Sequence, residues 1–468
     1  MRFAPGNRLL FLTAVVAVPA MTLLVYDFPT WAVPCLLALA SLVGAAVLDL
    51  QRTSGHLDRV ELVATDRVRA TAGRTLELAF DLSCPDRLAT CPLRFGLPVG
   101  AAFHAPRGTV LEMPAASGEP PQRRLLFPLI PLRRGQFAFS EAHLETSSGW
   151  GFWLLRRRFP LALECRVYPD LRQERQQVAA LFMNRGQLGA HAVRQVGKGR
   201  EFEKLREYQP GDDYGDIDWK ASARKRFPVT RTYQIERTQE IYVILDHSRF
   251  SGREIRLPAS KVPGEEAATM ESQGGEHLVT TQLERFLHCA LILAAVAEKQ
   301  GDRFGMITFA DRVGRFLRAR NGREHYDVVR DAVYTLEPRP VSPDFEQLMI
   351  ELRQRLTRRA LLVMLVDLSD PLTAEQFLQS LPLISRQHLI LVNMVRPAGA
   401  FPLFGATSPP ASLGEVYGAL GGHFQWSELR ATARKLKHLG VEMGLPDQEE
   451  LTAEVVTQYL TVKRRQLL

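Results

Sequence analysis

The stretch Ile241–Gly252, IYVILDHSRFSG, decides the fold. Five large side chains follow one another without a charge, three of them the β-branched residues Ile241, Val243 and Ile244. The run then stops at Asp246, with Ser248 and Gly252 close behind. A short apolar run closed by turn formers reads as a strand buried on both faces, the kind found in parallel sheets. Ala360–Asp370, ALLVMLVDLSD, repeats the pattern and also ends on an aspartate, Asp367. Around these two runs, LERFLHCALILAAVAEKQGD, HYDVVRDAVYTL, FEQLMIELRQRL and AEQFLQSLPLI carry helical periodicity, while RFGMITFADRV and HLILVNMV read as further strands. Alternation of this kind predicts an α/β unit over 240–468, a mostly parallel sheet with helices on both faces. Such sheets bind ligands at the carboxyl ends of their strands, where Asp246 and Asp367 fall. Neither a GxGxxG nor a GxxxxGK[ST] sequence occurs, so no dinucleotide or nucleoside triphosphate cradle is expected.

Upstream the period changes. Between His56 and Leu171 the segments RVELVATDRVRA, TLELAFDLSC, RRLLFPLIPL, GQFAFSEAHLET and ALECRVYP are short, and Gly, Pro, Asp and Ser separate them. They predict an antiparallel β-sandwich over 53–172 with little helix. Arg156 to Arg158 read as a charged, solvated strand edge or as a contact for lipid headgroups. Further upstream, Leu9–Val25 and Ala32–Leu48 carry no charge, and each is at the short end of the roughly 17 to 25 residues that span a bilayer. Only YDFPTW separates them, so residues 1–52 are expected to form a transmembrane helical hairpin that meets lipid through residues 9–48. Arg2 and Arg8 precede the first run, and Arg52 and Arg59 follow the second. Both ends, and everything after about residue 50, are therefore expected in the cytoplasm.

The 468 residues hold 59 Lys and Arg against 51 Asp and Glu, a net charge of +8 spread along the chain. That distribution suits a protein beside an anionic membrane better than a nucleic-acid binder, and no nucleic-acid partner is expected. Five cysteines without a CxxC pair suggest neither a disulfide framework nor a zinc site.

One segment, Leu205–Arg226, LREYQPGDDYGDIDWKASARKR, sets four aspartates within seven positions beside turn formers and a basic tail. Asp212, Asp213, Asp216 and Asp218 could hold a hydrolytic metal, but no His or nucleophile pair accompanies them. QPGDD is turn chemistry, and Arg206, Lys220, Arg224 and Arg226 are close enough to neutralise the acids. Trp219 is expected to pack the segment against the α/β unit. The segment then reads as a rigid connector, within 173–239, that presents a surface to a partner.

Two features carry a resemblance. IYVILDHSRFSG with LLVMLVDLSDP looks like the von Willebrand factor A fold, whose metal-ion-dependent adhesion site uses a DxSxS loop, a Thr and a further Asp. Gly199–Arg224, GREFEKLREYQPGDDYGDIDWKASAR, closely resembles the signature of the bacterial family catalogued as domain of unknown function 58. The family's membrane hairpin, β-domain and A-type domain match the order read here. The resemblance makes Arg206, Tyr208, Pro210, Gly211, Asp212, Asp213, Asp218, Trp219 and Arg224 its partner-facing or structural positions. Asp246, Ser248 and Asp367 match three metal positions, for a weak Mg²⁺ site. The third position of DxSxS is Phe250, however, and Pro343 or Asp344 stands where Thr is usual, so the acids alternatively cap the turns that follow them. The resemblance implies a membrane-anchored interaction protein, not an enzyme, working beside a MoxR-type AAA+ ATPase in assembling or activating envelope complexes. The competing expectation is a metal-dependent hydrolase built on the aspartate-rich segment.

Overall fold

A computed structural model describes residues 2–25, 29–57, 59–83, 92–113, 122–184, 196–209, 213–234, 239–258, 277–403 and 412–465. The chain divides into two compact units, Met1–Asp170 and Leu171–Leu468.

The first unit begins with two apolar helices, α1 (Asn7–Val25) and α2 (Pro29–Leu57). Among the described residues, Val33–Arg52, with mean hydropathy 2.2, is the one helix long and apolar enough to cross a membrane; Asn7–Thr22 is apolar but shorter. Of the two spans expected, one therefore reaches that length. The rest of the unit is two sheets around one core. One sheet runs in the order Arg2–Pro5, Trp153–Tyr168, Gly135–Ser147, Leu93–Gly96, Val110–Met113, and the other Glu61–Ala64, Leu76–Ser83, Gln122–Pro131, Phe103–His104. Phe80 of the second meets Phe95 of the first at 4.9 Å between ring centres, and both are fully buried. One pairing departs from the all-antiparallel expectation: Arg67–Thr71 lies parallel to Glu164–Tyr168. The run Arg156 to Arg158 is held by cross-strand partners, Arg156 by Glu145 at 2.8 Å and Arg158 by Glu141, while Arg157 donates to the Val60 carbonyl. Trp153 Nε1 donates to the Ala46 carbonyl at 2.7 Å, and buried Asp49 accepts from Trp150 N, so the end of α2 is fastened to this sheet.

The second unit is built on a six-stranded sheet: β1 (Glu240–Asp246), β2 (Arg303–Phe309), β3 (Val313–Arg320), β4 (Leu361–Leu365), β5 (Leu389–Asn393) and β6 (Glu442–Gly444). Its order is β3-β2-β1-β4-β5-β6, parallel throughout except β3, which pairs antiparallel with β2 at the edge. The alternation of a strand sorts its side chains between two cores. Ile241, Val243 and Leu245 pack with the helices Gln282–Lys299 (α5) and Leu451–Arg465; Tyr242 and Ile244 pack with Phe345–Arg355, Pro371–Ser380 and Leu413–His438 (α10). A helix, Arg172–Asn184, packs on this unit. Its Val178 joins the first of these cores, and its Glu174 is bonded to His288 at 2.8 Å and Arg285 at 3.1 Å of α5. Burial pushes the Glu174 carboxyl upward, but the His288 hydrogen bond and the charges of His288 and Arg285 outweigh it and hold it below the usual range.

Gly305 on β2 lies so close to its neighbours that a Cβ would stand 2.4 Å from the Tyr242 ring and 2.8 Å from the Leu317 carbonyl oxygen. Gly305→Ala should overpack that face and cost about 1 to 3 kcal/mol, read as a lowered urea midpoint. An unchanged midpoint would mean that the Tyr242 ring moves aside freely.

Candidate functional site

The order of the strands reverses between β1 and β4, because the chain leaves β1 toward β2 and leaves β4 toward β5. In open α/β sheets the crevice at that reversal is where ligands bind. Asp246 ends β1 and Asp367 follows β4, so the fold brings to one place two acids that stand 121 positions apart in the sequence. Both are buried, at 0% and 1% exposure, with Ser248 and Ser251 at 0% beside them. Asp246 Oδ1 accepts from Ser248 N at 2.7 Å, and Asp367 Oδ1 accepts from Ser369 N at 2.8 Å, so each acid closes the turn after its own strand. Burial, reinforced by the charge of Asp367, pushes the Asp246 carboxyl up to about 7.

A divalent cation would find three protein oxygens here. Asp246 Oδ2 and Ser248 Oγ are buried without a hydrogen-bond partner, and Asp367 Oδ2 is the third. The other positions are spent or lacking. Phe250 has no oxygen, Ser251 Oγ donates to the Ser248 carbonyl at 2.8 Å, and Asp344 caps its helix by accepting from Gln347 N at 2.9 Å. Arg253, which the sequence reading passed over, brings Nη1 to 3.6 Å from Asp367 Oδ2 and 3.3 Å from Ser369 Oγ. With half of the six hard oxygens that Mg²⁺ prefers and a guanidinium already beside one acid, the residues present fit the metal poorly. Titration of Mg²⁺ into the purified chain should show no micromolar binding. A micromolar constant, about 8 kcal/mol, would mean that Ser251, Ser342 or Asp344 swings in to complete the shell.

The signature segment forms a separate two-stranded ribbon, Val196–Glu207 paired antiparallel with Val229–Gln234. Pro210, Gly211 and Asp212 lie outside the described residues. Between the strands, Asp213 caps the turn Tyr214–Asp216 by accepting from Gly215 N, and Asp218 caps the short helix α4 (Trp219–Lys225) by accepting from Ala221 N at 3.0 Å. Asp218 also pairs with Arg231 Nε at 3.0 Å. The Ala221 hydrogen bond and the Arg231 partner hold its carboxyl below the usual range. Ser222 Oγ donates to the Asp218 carbonyl and accepts from Val229 N, which pins the helix to the second strand. The chain then turns through Arg226 at φ 62°, the one non-glycine residue with positive φ among those described. Such a backbone is uncommon without glycine and persists where the surroundings enforce it.

This geometry corrects one expectation. Trp219 does not pack against the α/β unit; it stands 70% exposed, with Tyr214 73% exposed nearby. Tyr208 is half-buried and meets Tyr214 at 5.8 Å between ring centres. The partner of Asp218 is Arg231, outside the group expected to neutralise the acids, and Arg224 is exposed. Arg206 Nη1 reaches the Glu207 carbonyl at 3.4 Å. Arg231 and Ser222 were missed because their roles depend on the ribbon register, which a linear reading does not supply.

Residues 204–254 and 269–406 match the family model described as protein of unknown function DUF58. Over those residues the chain is similar to the DUF58 family. Its matched part takes in the ribbon from Lys204 onward and the sheet from β1 to β5. A curated relative, the uncharacterized protein YeaD of Bacillus subtilis, is 27% identical over 140 residues, 28% of this chain and 34% of the relative, so the match spans about a third of that protein's length. Among solved structures, the conserved hypothetical protein BatB from Bacteroides thetaiotaomicron aligns at 12% identity over 48% of this chain and 99% of its own, with a TM-score of 0.29. An aerotolerance-related membrane protein from Bacteroides fragilis aligns at 13% over 47% and 97%, with a TM-score of 0.25. Around the DUF58 match, the sheet order with its antiparallel third strand is that of a von Willebrand factor A-like fold.

Proposed function

We propose that this protein is a membrane-anchored, cytoplasm-facing interaction protein that works with a MoxR-type AAA+ ATPase in assembling or activating envelope-associated complexes. The observation that carries the reading is the tip of the signature ribbon. Trp219 and Tyr214 are large aromatics held out in solvent by a local scaffold of two aspartate caps, one ion pair and the Ser222 clasp. Exposed aromatics on a rigid support are the residue types that anchor protein interfaces. Arg253 and the Asp246–Asp367 pair belong to the sheet's ligand-binding crevice and offer a second contact to the same partner.

The anchor in this reading is the pair of apolar helices, with Val33–Arg52 as the segment of sufficient length and Asn7–Val25 as the second arm of a hairpin. The flanking arginines favour a cytoplasmic placement of the sheets. The hydrolase alternative is disfavoured by the use of Asp213 and Asp218, whose carboxylates already accept backbone N–H groups as caps. Affinity purification from gently solubilised membranes, with partners identified by mass spectrometry, tests the reading. A MoxR-type ATPase is expected among the enriched proteins; repeated recovery of the chain without any ATPase would contradict it.

A further inference from the structure

The 26-residue helix α10 turns an apolar stripe away from its own core. Leu413, Val416, Tyr417, Leu420 and Phe424 recur every three or four residues and so share one face. They are 72%, 42%, 67%, 38% and 60% exposed, while Leu429 and Leu436, on the opposite side, are 3% and 0% exposed within the sheet's core. A soluble helix carries its apolar stripe on the core side alone. Further along, the outer face continues through Glu428 to Arg434, Lys435 and His438, all exposed. The helix thus presents aromatic and aliphatic side chains at one end of its outer face and cations at the other.

We propose that the outer face of α10 rests on an anionic lipid surface, with Leu413, Tyr417, Leu420 and Phe424 entering the headgroup boundary and Arg434 and Lys435 meeting lipid phosphates. A helix with a large apolar face flanked by Lys and Arg is the form that lies in a bilayer interface, and its binding grows with buried apolar area and with anionic lipid. The proposal rests on the membrane anchoring of the reading above. A chain tethered by Val33–Arg52 keeps α10 at a high local concentration of lipid, so a modest stripe is enough to engage it. A bilayer is favoured over a protein partner by the charge pattern. The cations Arg434 and Lys435 are exposed and complement a sheet of phosphates.

Site-specific photocrosslinking in the full chain tests this. Benzoylphenylalanine replaces Phe424, Leu37 of α2 or Glu415, one position at a time, and each variant is reconstituted into phosphatidylcholine vesicles containing phosphatidylglycerol. The expected result is a lipid adduct at positions 424 and 37 and none at 415. Leu420→Glu should lower the adduct at 424 by about tenfold or more, as removal of apolar area from an interfacial helix requires. Loss of phosphatidylglycerol should lower it as well. A lipid adduct at 37 without one at 424 overturns the proposal and leaves the anchor standing. An adduct at 424 to another protein chain, when the reconstitution includes native membrane extract, overturns it in favour of a protein-docking face. A lipid adduct at 424 without one at 37 supports the proposal and removes the anchor instead. Because Phe424 is largely exposed, its replacement leaves folding intact, and a thermal melt of each variant verifies that.

Discussion

Asp302→Ala should be among the most damaging single changes in the second unit. Asp302 is 1% exposed and gathers three donors: the Tyr459 hydroxyl, Lys463 Nζ at 2.7 Å and Gln239 N at 3.2 Å. These bonds tie the C-terminal helix to the start of β1 and β2. Removing the carboxylate leaves a fully buried tyrosine hydroxyl without its acceptor and the Lys463 ammonium with only the Gln300 carbonyl at 3.0 Å, a loss on the order of 3 to 5 kcal/mol when one partner of a buried pair is deleted. The Lys463 side chain is 23% exposed and can turn partly to water, which places the expectation toward the lower end. Chemical unfolding of the purified chain measures it, and Asp302→Asn, which keeps one acceptor, should be milder. A loss under about 1 kcal/mol would mean that the C-terminal helix is held by its apolar face alone.

Trp219→Ala is expected to do the opposite to what a buried tryptophan would. Its side chain stands in solvent, so truncation should change folding by no more than about 0.5 kcal/mol, while capture of the partner should fall by tenfold or more, the effect of about 2 kcal/mol typical of an aromatic anchor. Asp218→Ala separates support from contact. It removes the cap of α4 and the Arg231 partner together, and should weaken capture by loosening the platform that holds Trp219 out. The readouts are thermal melting and recovery of the ATPase from membranes, taken on the same preparations. A Trp219→Ala variant that unfolds would show that the ring is covered in the native protein.

The central sheet was legible because parallel strands flanked by helices on both faces need uninterrupted apolar runs, and IYVIL and LLVML are such runs. The edge strand Val313–Arg320 was not. Its sequence, VGRFLRAR, alternates arginines with half-buried residues and blends into the preceding run. The helix Leu413–His438 escaped for a different reason. Apolar residues on its outer face as well as its inner one blur the 3.6-residue period on which a sequence reading depends. At the crevice, the pairing of Asp246 with Asp367 followed from the strand ends, whereas Arg253 became visible only once the chain folded back after Gly252. Trp219 misled because tryptophan is highly buried on average. Nothing in IDWKASAR states that Asp218, Ser222 and Arg231 form a scaffold that needs no help from the indole.

The most direct test of the interaction reading is recovery of the AAA+ ATPase by the wild-type chain and by the double variant Tyr214→Ala/Trp219→Ala, both purified from membranes in parallel and melted to verify folding. The wild type should bring down the ATPase, and the double variant should melt at the same temperature while recovering little or none. Equal recovery by a folded double variant would contradict the claim that the ribbon tip is the surface through which this protein acts.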